Sequence, residues 1–169
     1  DAATGEYLFS MDAGVQNIVA SIDPVSGVKT AKPESIPREG STFLVSPNHY
    51  GARSWAPTSF NPQTNRLYVP LGEGAQIIDE HGWHDRFNPD SKDGTVGRIQ
   101  AFDVASRELA WRFDSASPVI SGVLATGGGL VFAADLNRTL RAHDDATGEV
   151  LWQHDLDDHA GAARLLHRA

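Results

Sequence analysis

Two histidines stand among carboxylates in one short stretch, His81 and His84 beside Asp79, Glu80 and Asp85. Imidazole and carboxylate are ligands that zinc or iron accepts. The stretch has neither helical nor alternating periodicity, so nothing fixes a ligand geometry, and acidic loops are ordinarily solvated. A solvated role is the expectation. Asp90-Ser-Lys-Asp-Gly94 opens like a calcium loop but lacks the distal bidentate Glu, and is read as a turn. Gly127-Gly-Gly129 lacks the Lys and Ser or Thr of a phosphate-binding loop and is read as a tight hairpin. The absence of cysteine removes disulfides, thiolate metal sites and thiol nucleophiles. A Ser, His and Asp triad is defined by geometry, and the order of these residues gives hydrolase chemistry no support.

The elements that would position any site are short and numerous. Sixteen Gly and nine Pro are spread through 169 residues, which favours an all-β chain of many turns. With 40% hydrophobic and 21% charged residues the composition is that of a globular protein with one modest core. A formal net charge of -8 with scattered Lys and Arg argues against nucleic acid. No apolar run reaches the roughly 18 to 20 residues of a bilayer span, and Asp1 to Ser10 carry no export signal.

A repeat organises these strands. Ile99-Gln-Ala-Phe-Asp-Val-Ala-Ser-Arg-Glu-Leu-Ala-Trp111 returns as Leu140-Arg-Ala-His-Asp-Asp-Ala-Thr-Gly-Glu-Val-Leu-Trp152, 41 residues on from 99 to 140. A partial copy opens the chain as Asp1-Ala-Ala-Thr-Gly-Glu-Tyr-Leu-Phe9, with Phe9 at the Trp position and the preceding strand missing. Each copy reads as strand, Asp-initiated turn, strand. Gly148 can take positive φ freely and Arg107 must do so without that freedom. Related units occur at Ile22–Val28 and Phe60–Pro70. Gly122 to Ala134 supplies two further apolar strands joined by glycines, completing four strands per period. That is a propeller blade. Trp111 and Trp152 are expected to wedge between blades, each contributing about 2 to 3 kcal/mol. Gly72 to Gly94 shows no alternation and is read as a long surface loop. Residues 1–153 form the repeat region. The tail 154–169 lies outside it and turns weakly helical through Ala160–Leu166.

Gly51-Ala-Arg-Ser-Trp-Ala-Pro-Thr-Ser-Phe-Asn-Pro62 followed by Leu67-Tyr-Val-Pro70 resembles a signature segment of the PQQ-dependent, quinoprotein alcohol dehydrogenases. Upstream, Gln16 to Gly27 with Pro33-Glu34 resembles the family's approach to that segment. Downstream, Ser121 to Phe132, Asp135 to Leu140 and Ala146 to Gln153 resemble its late blades in order. The resemblance runs from residue 1 to about 153. It implies an eight-bladed propeller with pyrroloquinoline quinone near the axis beside calcium or a lanthanide, and an Asp as base. On this alignment the catalytic Asp, the metal-binding Glu and Asn and a Lys or Arg near the quinone oxygens belong to blades before residue 1. At about 40 residues per blade, the chain amounts to a partial β-propeller of about three to four four-stranded antiparallel blades.

By this resemblance Arg53, Ser54 and Trp55 are the cofactor-binding candidates. Ser54 stands where the family commonly has Asn. A guanidinium pairs with carboxylate oxygens and a hydroxyl supports a quinone carbonyl. The competing role is structural, with Arg53 in an ion pair and Trp55 packed between blades. Ile120-Ser121-Gly122 departs from the family's Trp before paired glycines, and the segment after Trp152 departs from its ring-closing strand. The implied parent is a periplasmic oxidoreductase acting on a small alcohol. This portion would form one wall of the quinone site and be inactive alone, with open blade edges that invite self-association. A non-catalytic propeller scaffold and an inert truncated product are the alternatives.

Overall fold

The computed structural model describes residues 1–158 except 15, 37, 50 and 88–94. The expected all-β partial propeller is what the chain forms. Strands β4 (Ser59–Asn61), β5 (Arg66–Gly72), β8 (Gly97–Asp103) and β9 (Glu108–Ser115) make one four-stranded antiparallel sheet. Strands β10 (Leu124–Ala125), β11 (Leu130–Ala134), β12 (Thr139–Asp144) and β13 (Val150–Asp155) make the next. Two smaller sheets accompany them, the hairpin of β1 (Val19–Ile22) with β2 (Lys29–Ala31), and a three-stranded sheet in the order β3 (Phe43–Val45), β6 (Gly74–Asp79), β7 (Gly82–Phe87). Among the described residues no helix is long and apolar enough to cross a membrane.

The two full sheets are built alike because the repeat sets the same local chemistry twice. Asp103 Oδ1 accepts from the N–H groups of Ala105 and Ser106, and Asp144 Oδ1 accepts from that of Thr147. Arg107 and Gly148 then turn the chain with φ of 63° and 78°. The small residue of each copy sits across from the large one, Ala101 from Trp111 and Ala142 from Trp152, and both pairs lie beside a shift in register. The opening copy makes the same turn, with Asp1 Oδ1 accepting from Ala3 and Thr4. Its Phe9 ring lies 4.6 Å from the Arg107 guanidinium.

Period-two alternation sends successive residues of the first full sheet to opposite faces. Tyr68, Ile99, Ala101 and Trp111 pack with Val131 and Ala133 of the second sheet and with Val123 just before it. Val69, Leu71 and Phe102 pack on the other face with Met11, Ala13, Ala52 and Leu67. Between the sheets, Trp111 lies over the Gly148 turn and its Nε1 donates to Asp145 O at 2.7 Å. A Cβ at Gly148 would meet that indole at 2.5 Å. The wedge expected of Trp111 is present. Trp152 departs from expectation: it is 49% exposed and stacks on His154, since no turn among the described residues covers it.

Residues 72 to 94 are not one loop. Ala75-Gln-Ile-Ile78 pairs with Trp83-His-Asp-Arg86 as the β6–β7 hairpin, turned by Asp79, whose Oδ1 accepts from the His81 N–H. The strands escape an apolar-alternation reading because β7 is polar and aromatic. His84 Nε2 lies 3.4 Å from Asp79 and His81 Nε2 lies 3.5 Å from Glu80, both at the exposed hairpin end. Strand β13 runs through Asp155, two residues into the expected tail. The turn at Asp90–Gly94 and the helix at Ala160–Leu166 lie outside the described residues.

Two stability measurements follow from this packing. Gly148→Ala adds a left-handed residue and a clash, so it should cost about 2 to 4 kcal/mol by denaturant unfolding. In a Trp111→Ala background only the backbone cost of about 1 kcal/mol should remain, and additive losses would contradict the contact. His143 is fully buried with Nε2 unpartnered, and burial lowers its pKa. Its neutral form is favoured in the folded state, so the stabilisation is present above the unfolded pKa and lost as pH falls below about 6.5. Stability between pH 6.5 and 5.5 should fall by up to about 1 kcal/mol more in the parent than in His143→Phe.

Candidate functional site

The turns closing β4–β5, β8–β9 and β12–β13 share one end of the sheets. Antiparallel pairing puts the approaches to β4 and β10 and the β5–β8 connection at the other. A cleft of about 660 Å³ opens there, lined by residues 51–56, 72–74 and 118–120 together with Asn48, Pro70, Asp85, Val96 and Leu136. Such a volume lies in the range of small-molecule sites. Its walls are largely aliphatic and aromatic, with Asn48, Arg53, Ser54, Glu73 and Asp85 as the polar side chains.

Backbone contacts set this shape. Gly72 N–H donates to Ala52 O at 2.8 Å, holding the segment before β4 against the end of β5. Glu73 N–H donates to Val96 O at 2.7 Å. A Cβ at Gly97 would lie 2.3 Å from Ser117 O and 2.7 Å from Val119 N, so only glycine lets the 117–119 backbone cross β8 this closely. That crossing carries Pro118, Val119 and Ile120 into the cleft. At the same end, Asp135 bridges the two sheets: Oδ2 accepts from Arg141 Nη1 at 2.6 Å and from Ser115 Oγ at 3.4 Å, while Leu136 N–H donates to Pro118 O at 3.0 Å.

The structure brings Arg53, Ser54 and Trp55 to one wall of this cleft. Arg53 makes no ion pair among the described residues, unlike Arg66, Arg98, Arg112 and Arg141. Trp55 is 60% exposed and is not packed between sheets. Ile120 occupies the wall where the family resemblance places a Trp.

Glu73 escaped sequence reasoning because it was grouped with a presumed loop. It is 6% exposed and its Oε1 pairs with Arg98 Nη2, which in turn is 3.8 Å from Asp114 through Nε. Arg112 Nη2 binds Asp114 at 3.0 Å. Burial pushes the Glu73 carboxyl upward, opposed first by Arg98. The sequence signal was a lone acid directly after an apolar strand. The polar side chains of the β6–β7 hairpin adjoin the cleft: Gln76 Nε2 lies 3.0 Å from His49 Nδ1, and Asp85 is 3.8 Å from the same nitrogen. No group of three or more His, Asp or Glu placed to share a metal ion occurs among the described residues.

Comparison with known proteins gives this geometry a lineage. A family model described as outer membrane protein assembly factor BamB matches residues 95–167. A quinohemoprotein alcohol dehydrogenase of Comamonas testosteroni is 31% identical over 147 residues, covering 75% of this chain and 20% of that protein. The crystal structure of a quinohemoprotein alcohol dehydrogenase from Comamonas testosteroni superposes with a TM-score of 0.76 at 26% identity, over 95% of this chain and 27% of that one. A europium-containing methanol dehydrogenase superposes with a TM-score of 0.75 at 25% identity, over 86% and 28%. The chain thus spans between a fifth and just over a quarter of the relatives it matches. In sequence, blade geometry and order of segments, the chain belongs to the PQQ-dependent, quinoprotein alcohol dehydrogenases.

Proposed function

We propose that this chain forms one wall of the cofactor site in a dehydrogenase that oxidises small alcohols with pyrroloquinoline quinone, and that it is inactive alone. One observation carries the reading: Arg53, a cation without an ion-pair partner among the described residues, lines a largely apolar cleft beside Ser54 and Trp55. A planar tricarboxylate fits that donor set. The guanidinium fork matches a carboxylate, the Ser54 hydroxyl can donate to a ring carbonyl, and the Trp55 indole offers a face for stacking. When bound, the quinone supplies the two-electron acceptor for the alcohol carbon.

The chain's own residues bind, orient and exclude water. Pro118, Val119, Ile120 and Leu136 keep one side of the cleft dry, which strengthens each charged contact inside it. The base and the ligands of calcium or a lanthanide are assigned to other blades, as the family resemblance implies. A periplasmic location and a small alcohol as substrate belong to the same reading, supported by the family resemblance. Residues 154–169 are assigned to a tail outside the repeat, and the open edges of the sheets to self-association.

A second reading is a propeller scaffold without redox chemistry, favoured by the description of the family model matching residues 95–167. Quinone binding separates the two. Titration of the chain with pyrroloquinoline quinone, followed by tryptophan fluorescence, should saturate, and Arg53→Ala should weaken binding by about tenfold or more. No saturable binding would favour the scaffold. The purified 169-residue chain with added quinone and calcium should give no alcohol-dependent dye reduction. Sustained turnover would show that base and metal ligands lie within this chain after all.

A further inference from the structure

At the cleft, the Glu73 carboxylate lacks a hydrogen-bond donor among the described residues. Glu73 Oε1 is against Arg98, but Oε2 is buried and accepts no hydrogen bond among the described residues. The side chain is 2% exposed and lines the cleft. A buried carboxylate oxygen without a donor is costly, and it is found where a ligand completes the set. The charged groups around it are Arg98 on β8, Asp114 and Arg112 on β9, and Arg53 and Asp85 at the cleft wall. Arg98 is engaged by Glu73 Oε1 and Asp114, and Arg112 by Asp114. Arg53 lines the same cleft, so a cation and an open acceptor share one cavity.

We propose that Glu73 Oε2 accepts a hydrogen bond from a ring N–H of the ligand in this cleft, while Arg53 pairs with a carboxylate next to that N–H. The site would then select a planar heteroaromatic acid with an N–H adjacent to its carboxylate. This rests on the quinone reading above, since pyrroloquinoline quinone carries a pyrrole N–H beside a carboxylate. It adds a specificity residue that works through a donor requirement. A carboxylate lobe facing an anionic ligand without that donor would repel it.

Two small probes isolate the contact: pyrrole-2-carboxylate has the N–H, and furan-2-carboxylate replaces it with an acceptor oxygen. Ligand-observed NMR on the 169-residue chain should show pyrrole-2-carboxylate binding about tenfold more tightly. Glu73→Leu should abolish the preference, and Glu73→Gln should reduce it to about threefold. A purely structural Glu73 would leave the ratio of the two affinities unchanged while weakening both. Should Glu73→Leu lose the strand signature in circular dichroism, Glu73→Gln decides. Equal affinities in the parent, an undiminished preference in Glu73→Gln or a folded Glu73→Leu, or binding of neither probe would overturn the proposal. A pyrrole preference without binding of pyrroloquinoline quinone would sink the quinone reading and leave Glu73 standing. Quinone binding without the preference would do the reverse.

Discussion

Neighbouring sheets keep their relative position through one buried carboxylate. Asp145, 3% exposed, belongs to the β12–β13 turn yet is gripped almost wholly by the preceding sheet. Its carboxylate accepts from Asn61 Nδ2 at 2.7 Å and from the Tyr68 hydroxyl, and its backbone oxygen accepts from the Trp111 indole and Arg66. Burial and then the Asp145 carboxylate raise the Tyr68 pKa to about 12, which keeps the hydroxyl a donor. A charge so enclosed is tolerable only with every lone pair answered. Removing any one of these donors leaves the others around an unsatisfied charge, so the interface is specified by polar geometry as well as by the apolar contacts of Tyr68, Val131 and Ala133.

That clamp has a counterpart at the opposite end. Asp135, with Arg141 and Ser115, ties the same two sheets where the cleft opens. Between the two carboxylates the sheets cannot slide without breaking charge-assisted bonds at one end or the other. The cleft walls, Pro118 to Ile120 on one sheet's approach and Ala52 to Ala56 on the other's, are thereby held at fixed separation. A rigid wall suits a planar ligand, because side chains already in place lose little freedom on binding.

Much of this was legible in the residues. The recurring Asp, Gly or Arg, and Trp positions gave the strand-turn-strand unit, its period and the wedge made by Trp111. What stayed hidden has physical reasons. Strand β7 mixes Trp, His, Asp and Arg, so its residue types lack the apolar alternation by which strands are recognised. Trp152 has the same sequence context as Trp111, but a wedge needs a second turn to enter, and no single repeat encodes its neighbour. The clamp left a trace that went unread. Position 145 is Asp only in the last copy, against Ala2, Pro24 and Val104 in the others, and a charge where its equivalents are small or apolar marks a contact particular to one interface. Arg53, Ser54 and Trp55 were found by family likeness. Glu73 needed coordinates, because its significance lies in which of its oxygens has no donor.

The functional account depends on the cleft at the approaches to β4 and β10 being where a planar carboxylated ring rests. A crystal structure of the chain grown with pyrroloquinoline quinone tests this most directly. The account predicts density for the ring in that cleft, a carboxylate within hydrogen-bond distance of the Arg53 guanidinium and a ring face toward Trp55. Density at another surface, or an ordered cleft left without ligand at saturating quinone, would contradict it.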